Sequence, residues 1–430
     1  MPTLLQIVHG YPPREVAGTE IYAERLTRAL LERGWKVHIL ASTRAPGKTH
    51  ASWLPREDDG AGASIHRIVN NLPWRPLGQQ EHDPGLQTAC NQKIREIGAD
   101  VVHVQHLLFL DIKLDYGAPS VLTLHDAWGW CARGGSLLEQ GRAPCSGPSA
   151  EKCIPCYSAF SRGSAIEHQL GNWAGRLSAW VSPERMHHAW RKLPSRIRQL
   201  TQKGPAPKTT EDDFTRRQLA VREAFNRVDL RISPSAYLAQ AAEANGIGPV
   251  QVIPHGVPQT ALNRRPEAFV FLGSIAFHKG PDLVAQAWIN AKKTDPEIPP
   301  LRIVGPTVEP ACASEIPSEM REGPIKNSEV PALLSTAHAL VLGSRWPENA
   351  PLVIQEARAA GCPVIAPQIG GIPELVQPDQ DGHMYTPNDV ESLTVALLNW
   401  RSFHTLPVQP PPTLNQHVDV LESHYLSLIG

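Results

Sequence analysis

The chain has 430 residues, a formal net charge of -1 and 19% charged residues. This length predicts two or three domains with ample surface to bury, and a charge near zero excludes a general electrostatic attraction to nucleic acid. The N-terminal residues have no basic flank and no long apolar run, so a signal peptide is not expected. No stretch approaches the roughly 18 apolar residues that a membrane-spanning helix needs. We therefore expect a cytoplasmic protein, in which thiols are reduced.

The first half alternates short apolar runs with helical patterns. Leu4–His9 predicts a strand, Gly18–Arg33 an amphipathic helix that ends at Gly34, and Lys36–Ala41 a second strand. Further strands are predicted at Ser64–Val69, Val101–Val104, Ser120–Leu124, Asp229–Ile232 and Val250–Ile253. This alternation is typical of a parallel α/β sheet, so residues 1–257 are predicted to form a Rossmann-like domain.

The second half restarts the same pattern. Strands are predicted at Ala268–Leu272, Leu301–Val304, Ala339–Leu342 and Pro363–Ala366. Residues 258–405 are therefore predicted to form a second Rossmann-like domain, and two doubly wound domains that face each other place the carboxyl ends of their strands around one central cleft. The Pro-rich stretch Pro407–Pro412 predicts a linker, and Leu414–Leu428 a last helix, within residues 406–430.

An insertion at about residues 127–228 interrupts the first domain with a cysteine cluster. Four of the seven cysteines follow the pattern C-x13-C-x7-C-x2-C, and they are Cys131, Cys145, Cys153 and Cys156. The close pair at the end is typical of a tetrahedral metal knuckle, and four thiolates in a reducing compartment suit structural Zn²⁺. An iron–sulfur cluster and four unrelated thiols are the alternatives.

A basic segment follows the cysteines. Its cations are Arg176, Arg185, Arg191, Lys192, Arg196, Arg198, Lys203, Lys208, Arg216 and Arg217. One interpretation is a solvated helical face. The other is an acceptor-binding or membrane-surface patch, because interleaved Trp and Arg side chains suit anionic lipid headgroups. Both stay open, and the second would bring the protein to the inner face of the membrane.

The stretch from Trp346 to Val376 carries the strongest binding signal. Pro351 and Gly361 predict the start and end of a helix, with Glu348 before the helix and Glu356 within it. A helix N-terminus with unpaired amides attracts phosphate or sugar oxygens. The two carboxylates can accept hydrogen bonds from vicinal diols, so this pattern predicts a nucleotide-sugar site.

Three loops that follow predicted strands add candidate residues. Gly18 lies in the first loop, just where a helix begins. His125 follows its strand directly and is expected to face the cleft. Lys279, in the loop that begins at Gly273, precedes a helix and can neutralise a diphosphate as a compact point charge.

These segments resemble the retaining GT-B glycosyltransferases of family 4, the E-x7-E type of the glycosyl transferases group 1. The resemblance runs through PENAPLVIQEA, AGCPVIA and GGIPELV. It implies that Glu348 faces the donor sugar, that Glu356 holds the ribose and that Lys279 binds the diphosphate. His125 matches the family's T-x-H-D segment, which implies a position beside the transferred sugar. The family's last helix packs back on the first domain.

The resemblance also extends to the rest of the donor site, with departures. The donor-binding residues that it implies are Gly18, Gly273, Ser274, Ile325, Asn349, Ala350, Pro351 and Leu352. Ala17 replaces the first Gly of the family's P-x-x-G-G-x-E loop. Ser274 stands where the family has Arg, so one of two cations is missing or is supplied elsewhere. Arg345 and His278 are the candidates to replace it.

The implied activity is transfer of a hexosyl-type sugar from a nucleotide diphosphate donor, with UDP or GDP favoured, to an acceptor hydroxyl with retention of configuration. The acceptor is expected to be a glycan, a lipid-linked or a small molecule, in polysaccharide, glycolipid or natural-product glycan assembly. No catalytic metal is expected. A catalytically silent GT-B subunit that binds a nucleotide-sugar, and another GT-B enzyme such as a nucleotide-sugar epimerase, are the alternatives.

Overall fold

The computed structural model describes residues 1–162, 164–166, 169, 204–259 and 263–430. A mostly parallel sheet organises the described part of the first half. Its strands are β1 (Thr3–Val8), β2 (Lys36–Thr43), β3 (Glu57–Asp58), β4 (Ser64–Val69), β5 (Val101–Val104), β6 (Ser120–Thr123), β9 (Leu230–Ser233) and β10 (Gln251–Val252), while β7 (Leu138–Glu139) and β8 (Ala143–Pro144) form a separate hairpin. The sheet order is β10-β9-β6-β5-β1-β2-β4-β3, and β3 is antiparallel to β4.

Helices flank this sheet. They are α1 (Gly18–Glu32), α2 (Pro84–Ile97), α3 (Ala150–Ser161), α4 (Glu211–Asn226) and α5 (Ala236–Ala244). The central strands are apolar runs that are buried on both faces, as parallel sheets require. β1 is an example, because Leu4, Leu5, Ile7 and Val8 are all inaccessible to solvent and point alternately into two separate clusters.

A second parallel sheet organises the other half. Its strands are β11 (Ala268–Leu272), β12 (Leu301–Val304), β13 (Arg321–Glu322), β14 (Ala337–Val341), β15 (Val364–Pro367) and β16 (Gly382–Tyr385), in the order β13-β12-β11-β14-β15-β16. The helices in this half are α6 (Pro281–Thr294), α7 (Pro310–Ser314), α8 (Val330–Ser335), α9 (Leu352–Ala359) and α10 (Val390–Leu398). The prediction of two Rossmann-like α/β domains is confirmed.

The last helix, α11 (Leu414–Ile429), packs on the first domain. Glu422 accepts hydrogen bonds from Arg33 at 2.8 Å and from the indole of Trp35 at 2.6 Å. Tyr425 is fully buried and its hydroxyl lies 2.5 Å from Nδ1 of His103. The chain therefore leaves the second domain and ends as part of the core of the first.

The basic segment is described only in part. Its cations between residues 176 and 203 lie outside the described residues. Arg216 forms an ion pair with Asp213, whereas Arg217 has no solvent exposure and pairs with the buried Glu81. The interpretation of Arg217 as part of a solvated face or surface patch is wrong, because a buried carboxylate binds it inside the domain. No helix of the described ranges is long and apolar enough to cross a bilayer.

Candidate active site

Glu348 and Lys279 meet at the carboxyl ends of the strands of the second sheet. Glu348 lies in the loop after β14 and is only 7% exposed. Its Oε1 accepts hydrogen bonds from Nζ of Lys279 and from the hydroxyl of Ser344, both at 2.8 Å. The two residues that the sequence assigned to the sugar and the diphosphate are therefore one ion pair.

This pairing determines the charge of Glu348. Burial alone would raise the pKa of the carboxyl group, but the positive charge of Lys279 and the hydrogen bonds from Lys279 and Ser344 hold the pKa below its usual value. The ammonium group of Lys279 also lies 5.0 Å from the ring centre of Trp346. Glu348 is consequently a carboxylate at neutral pH, which can accept hydrogen bonds from sugar hydroxyls.

Gly370 and Gly371, which follow β15, pack against the loop that carries Glu348. The amide of Gly371 donates to the carbonyl of Glu348 at 2.7 Å. Gly370 has a φ of 62° and its backbone lies against Pro347, so a Cβ there would meet the carbonyl carbon of Pro347 at 2.7 Å. A side chain at this position would displace the loop that carries Glu348.

Helix α9 places Glu356 at the domain interface. The helix begins at Leu352, one residue later than predicted, because Pro351 has an extended ψ of 118° and is the N-cap. No side chain caps this end, so the first backbone amides of the helix have no side-chain partner. Glu356 forms an ion pair with Arg25 of α1, and the two side chains are 14% and 13% exposed.

Asn349 joins the glutamate loop to the first domain. Its Nδ2 donates to the carbonyl groups of Leu124 at 3.0 Å and His125 at 3.1 Å. The hydroxyl of Ser235 donates to its Oδ1 at 2.5 Å. These bonds hold His125, at the end of β6, directly opposite the residue that follows Glu348. Ala350 continues the same loop and is half-buried.

His125 is a neutral hydrogen-bonding group. Its Nε2 lies 2.9 Å from Oε1 of Gln105, and its ring stacks on that of His255 with centres 5.5 Å apart. Burial, followed by the nearby charge of His106, lowers the pKa of His125 to about 3. The side chain can thus orient a sugar hydroxyl, but it brings no positive charge to the cleft.

His125 belongs to a cluster of buried histidines that predicts acid sensitivity. Burial lowers the pKa of His417 to about 4 and holds the pKa values of His103 and His255 well below the ordinary value of 6.5. The folded protein keeps these rings neutral, so below about pH 6.5 the unfolded chain binds more protons and stability falls as the pH falls.

We expect His417→Gln to weaken this pH dependence. Between about pH 7.5 and about pH 5.5 the variant should lose about 1.4 kcal/mol less stability than the wild type, because one titrating group is removed. Urea denaturation at the two pH values measures the difference. His424→Gln, on the same helix but half-exposed, is the control. Equal pH dependence of His417→Gln and the wild type would contradict the expectation.

A chain of four ionisable side chains lines the first-domain wall of the cleft. His9 contacts Glu20 at 2.9 Å, the rings of His9 and His106 lie 4.5 Å apart, and His106 contacts Asp126 at 3.3 Å. His9 follows β1, and Glu20 lies in the first turn of α1. His106 follows β5, and Asp126 follows β6. Sequence reasoning missed them, although each follows a strand or lies in the first loop. Their alternating acceptors and donors suit a hydroxyl-rich ligand.

The loop after β11 holds the diphosphate candidates. Gly273 and Ser274 are half-buried, and the turn at Phe277–Lys279 leads into α6. Arg345 makes two hydrogen bonds to Asp282, at 2.8 and 2.7 Å, and donates to the carbonyl of Phe277. It braces this loop. Burial and the charge of Lys279 lower the pKa of His278, so neither Arg345 nor His278 is a spare cation.

Gly18 and Ile325, which the family resemblance assigns to the donor site, lie at the margins of the cleft. Gly18 is the first residue of α1, and a Cβ at this position would have open space. Ala17 before it provides no side-chain cap, which leaves the start of α1 open towards the cleft. Ile325 is half-buried in the loop after β13 and packs on the core of the second domain.

The four clustered cysteines surround the β7–β8 hairpin as free thiols. The amide of Gln140 donates to the sulfur of Cys156 at 3.3 Å. Burial raises the pKa values of Cys131 and Cys153, which favours the protonated thiols. Over the described ranges no three His, Cys, Asp or Glu side chains are arranged to hold a metal ion.

Comparison with known proteins adds independent information. Residues 253–402 match the family described as glycosyl transferases group 1, and residues 16–147 match Glycosyltransferase Family 4. A D-inositol 3-phosphate glycosyltransferase of Pseudarthrobacter chlorophenolicus is 24% identical over 385 residues, which cover 84% of this chain and 76% of that protein.

Solved structures share the whole fold. Sucrose-phosphate synthase from Thermosynechococcus elongatus has a TM-score of 0.57 at 14% identity, with 100% of this chain and 95% of that chain covered. Anabaena HepE, solved with UDP and glucose, has a TM-score of 0.54 at 14% identity, with 100% and 97% covered. Each half of the chain thus matches a glycosyltransferase family model, and the whole chain has the two-domain GT-B fold of these solved structures.

Proposed function

We propose that the protein transfers a hexosyl group from a nucleoside diphosphate donor, UDP- or GDP-linked, to an acceptor hydroxyl with retention of the anomeric configuration. The observation that carries the proposal is the Lys279–Glu348 ion pair, at 2.8 Å, opposite His125 in the cleft between the two domains. A cation for the diphosphate and a carboxylate for the sugar stand side by side. The likeness to HepE, solved with UDP and glucose, supports the donor class.

The domain interface supports a ribose site at Glu356. Its carboxylate accepts from Arg25, while Nη1 of Arg25 is buried and has no hydrogen-bond partner among the described residues. An acceptor and an unused donor therefore lie side by side. A vicinal diol can donate to the first and accept from the second, which is the chemistry of a ribose.

Catalysis then depends on stabilising the departing diphosphate. Lys279 and the amide end of α9 offer positive potential to the phosphate oxygens. Glu348 and His125 orient the sugar hydroxyls, and closure of the two domains limits hydrolysis by excluding water. We propose departure and attack on the same face of the sugar, with the leaving phosphate taking the acceptor proton. Glu348 is engaged by Lys279 and Ser344, which argues against its use as a transient nucleophile.

Purified protein incubated with UDP-, GDP- and dTDP-sugars tests the proposal. We expect slow release of nucleoside diphosphate from a UDP- or GDP-sugar, and NMR of the transferred sugar should show the donor's anomeric configuration. Binding without turnover would favour a silent subunit that binds the nucleotide-sugar. The absence of the family's Arg at Ser274 is the reason for this alternative. An altered sugar that stays on the nucleotide would favour an epimerase.

Two further expectations accompany this function. Structural zinc at Cys131, Cys145, Cys153 and Cys156 rests on their spacing alone, and metal analysis of the same sample tests it, because a protein without stoichiometric zinc refutes it. The acceptor is proposed to be a glycan, lipid-linked or small molecule bound against the Glu20–His9–His106–Asp126 wall. Contact with the inner face of a membrane is the accompanying proposal for a lipid-linked acceptor, and vesicle flotation tests it.

A further inference from the structure

The donor end of the cleft is short of positive charge. Lys279 is compensated by Glu348, Arg345 is compensated by Asp282, and His278 is held neutral by burial. Ser274 adds no charge. A departing nucleoside diphosphate carries at least two negative charges, so the second domain alone leaves it largely uncompensated.

Arg133, from the insertion in the first domain, lies in a turn that borders the cleft. Its turn is fixed by Gly135, where a Cβ would lie 2.5 Å from Cγ of Asp126. Asp126 follows His125, whose carbonyl accepts from Asn349 of the glutamate loop. The turn that carries Arg133 is therefore part of the cleft wall. The positive charge of Arg133 also contributes to the lowered pKa of His278, the neighbour of Lys279.

The guanidinium of Arg133 is held in place without being neutralised. It lies 5.2 Å from the ring centre of Phe160 and packs against the β7–β8 turn, where a Cβ at Gly141 would meet Nη2 at 2.5 Å. None of the ion pairs within the described ranges involves Arg133. Stacking uses the face of the guanidinium and leaves its in-plane N–H donors available for phosphate oxygens.

We propose that Arg133 supplies the second cation of the donor site, binding the diphosphate across the cleft in place of the residue at position 274. This rests on the proposed transfer reaction. In that reaction the bond between the anomeric carbon and the β-phosphate oxygen breaks, and its electron pair stays on that oxygen. The acceptor oxygen bonds to the anomeric carbon and its proton passes to the departing phosphate. Arg133 exchanges no proton and donates hydrogen bonds to the oxygens that gain charge.

The assignment makes the cation depend on both domains. Lys279 comes from the second domain and Arg133 from the first, so both reach the phosphates only when the cleft is formed around the donor. Because the interaction strengthens as charge develops on the leaving group, its loss should lower kcat more than it raises the KM for the donor.

Arg133→Ala tests the proposal, with Arg142→Ala as the matched control, because Arg142 is an exposed arginine in the turn of the β7–β8 hairpin against which Arg133 packs. We expect kcat to fall roughly 10²-fold in Arg133→Ala and to change less than about twofold in the control. Adding Ser274→Arg to Arg133→Ala returns a cation to the site from the other wall and should restore at least about a tenth of wild-type turnover. Circular dichroism verifies that each variant is folded.

The outcomes separate the two proposals. If the wild type is active and Arg133→Ala turns over the donor as fast as Arg142→Ala, the role of Arg133 is overturned, while the proposed transfer reaction stands. If the wild type turns over no donor, the transfer reaction fails, and the role of Arg133 is decided by affinities for UDP and GDP relative to UMP and GMP. A preference for the diphosphate that disappears in Arg133→Ala supports it; an unchanged preference, or no nucleotide binding by the wild type, overturns it.

Discussion

Replacing Lys279 with alanine is expected to lower the turnover of the nucleotide-sugar donor by roughly 10² to 10³-fold, the usual effect of removing one preorganised charge-stabilising donor. Two losses combine. The diphosphate loses the cation of the second domain, and Glu348 loses the partner 2.8 Å away that keeps its pKa low. Because Glu348 is nearly inaccessible, an unpaired carboxylate there is costly, and its pKa should rise.

The measurement is single-turnover release of nucleoside diphosphate at saturating donor, across neutral and alkaline pH. Lys279→Ala should recover part of its activity as the pH rises, because Glu348 then regains its charge. Lys292→Ala is the control: this lysine lies on α6, where it donates to the carbonyl of Pro296, and its loss should leave turnover unchanged. Activity of Lys279→Ala within about tenfold of wild type would contradict the assignment.

The interior of both sheets could be predicted from the sequence. Ser64–Val69, Val101–Val104, Ala268–Leu272 and Leu301–Val304 have the same bounds in the structure as in the prediction. Each is a short run rich in β-branched and other apolar residues, interrupted by single polar residues such as His103 and Arg302. A run that is largely buried on both faces has little alternative to an interior parallel strand. The alternation with helices then determines the doubly wound order.

Three of the four edge strands could not be predicted in this way, whereas the fourth, β10, lies within the predicted Val250–Ile253. β3 is Glu57–Asp58 and β13 is Arg321–Glu322, and neither has an apolar residue. β16 is Gly382–Tyr385, which also lacks the pattern. Short polar edge strands pair through their backbones only, so side-chain periodicity carries no signal for them. The same reason explains why one predicted strand ends too soon. Lys36–Ala41 was predicted, but the strand continues through the polar Ser42 and Thr43.

For the site, the sequence indicated which residues matter but not how they pair. Lys279 and Glu348 were separate candidates, yet they form one ion pair across 69 positions. Arg25 and Glu356 are 331 positions apart, and nothing in either local sequence predicts their contact. Arg345 was a candidate replacement cation because it is adjacent to the loop, but its pairing with Asp282 depends on the packing of α6. Such pairings are tertiary facts that neither motif nor periodicity encodes.

Arg217 gives the clearest expectation for stability. It has no solvent exposure, its Nε donates to Oε1 of Glu81 at 2.9 Å, and its Nη2 donates to the carbonyl of Trp128 at 2.6 Å. Trp128 lies in the turn Ala127–Gly129, which follows His125 and Asp126, so this arginine ties that wall of the cleft to α4. Arg217→Met should reduce the free energy of unfolding by about 3 to 5 kcal/mol, because it leaves the buried charge of Glu81 unpaired.

Urea denaturation followed by tryptophan fluorescence measures this loss. Arg216→Met, on the same helix but with a side chain that is 60% exposed, should change the free energy of unfolding by less than about 0.5 kcal/mol. Adding Glu81→Leu to Arg217→Met removes the unpaired charge, so the double variant should be more stable than Arg217→Met, although the carbonyl of Trp128 still lacks its donor. If Arg217→Met unfolds like Arg216→Met, the buried pair does not hold this wall of the cleft.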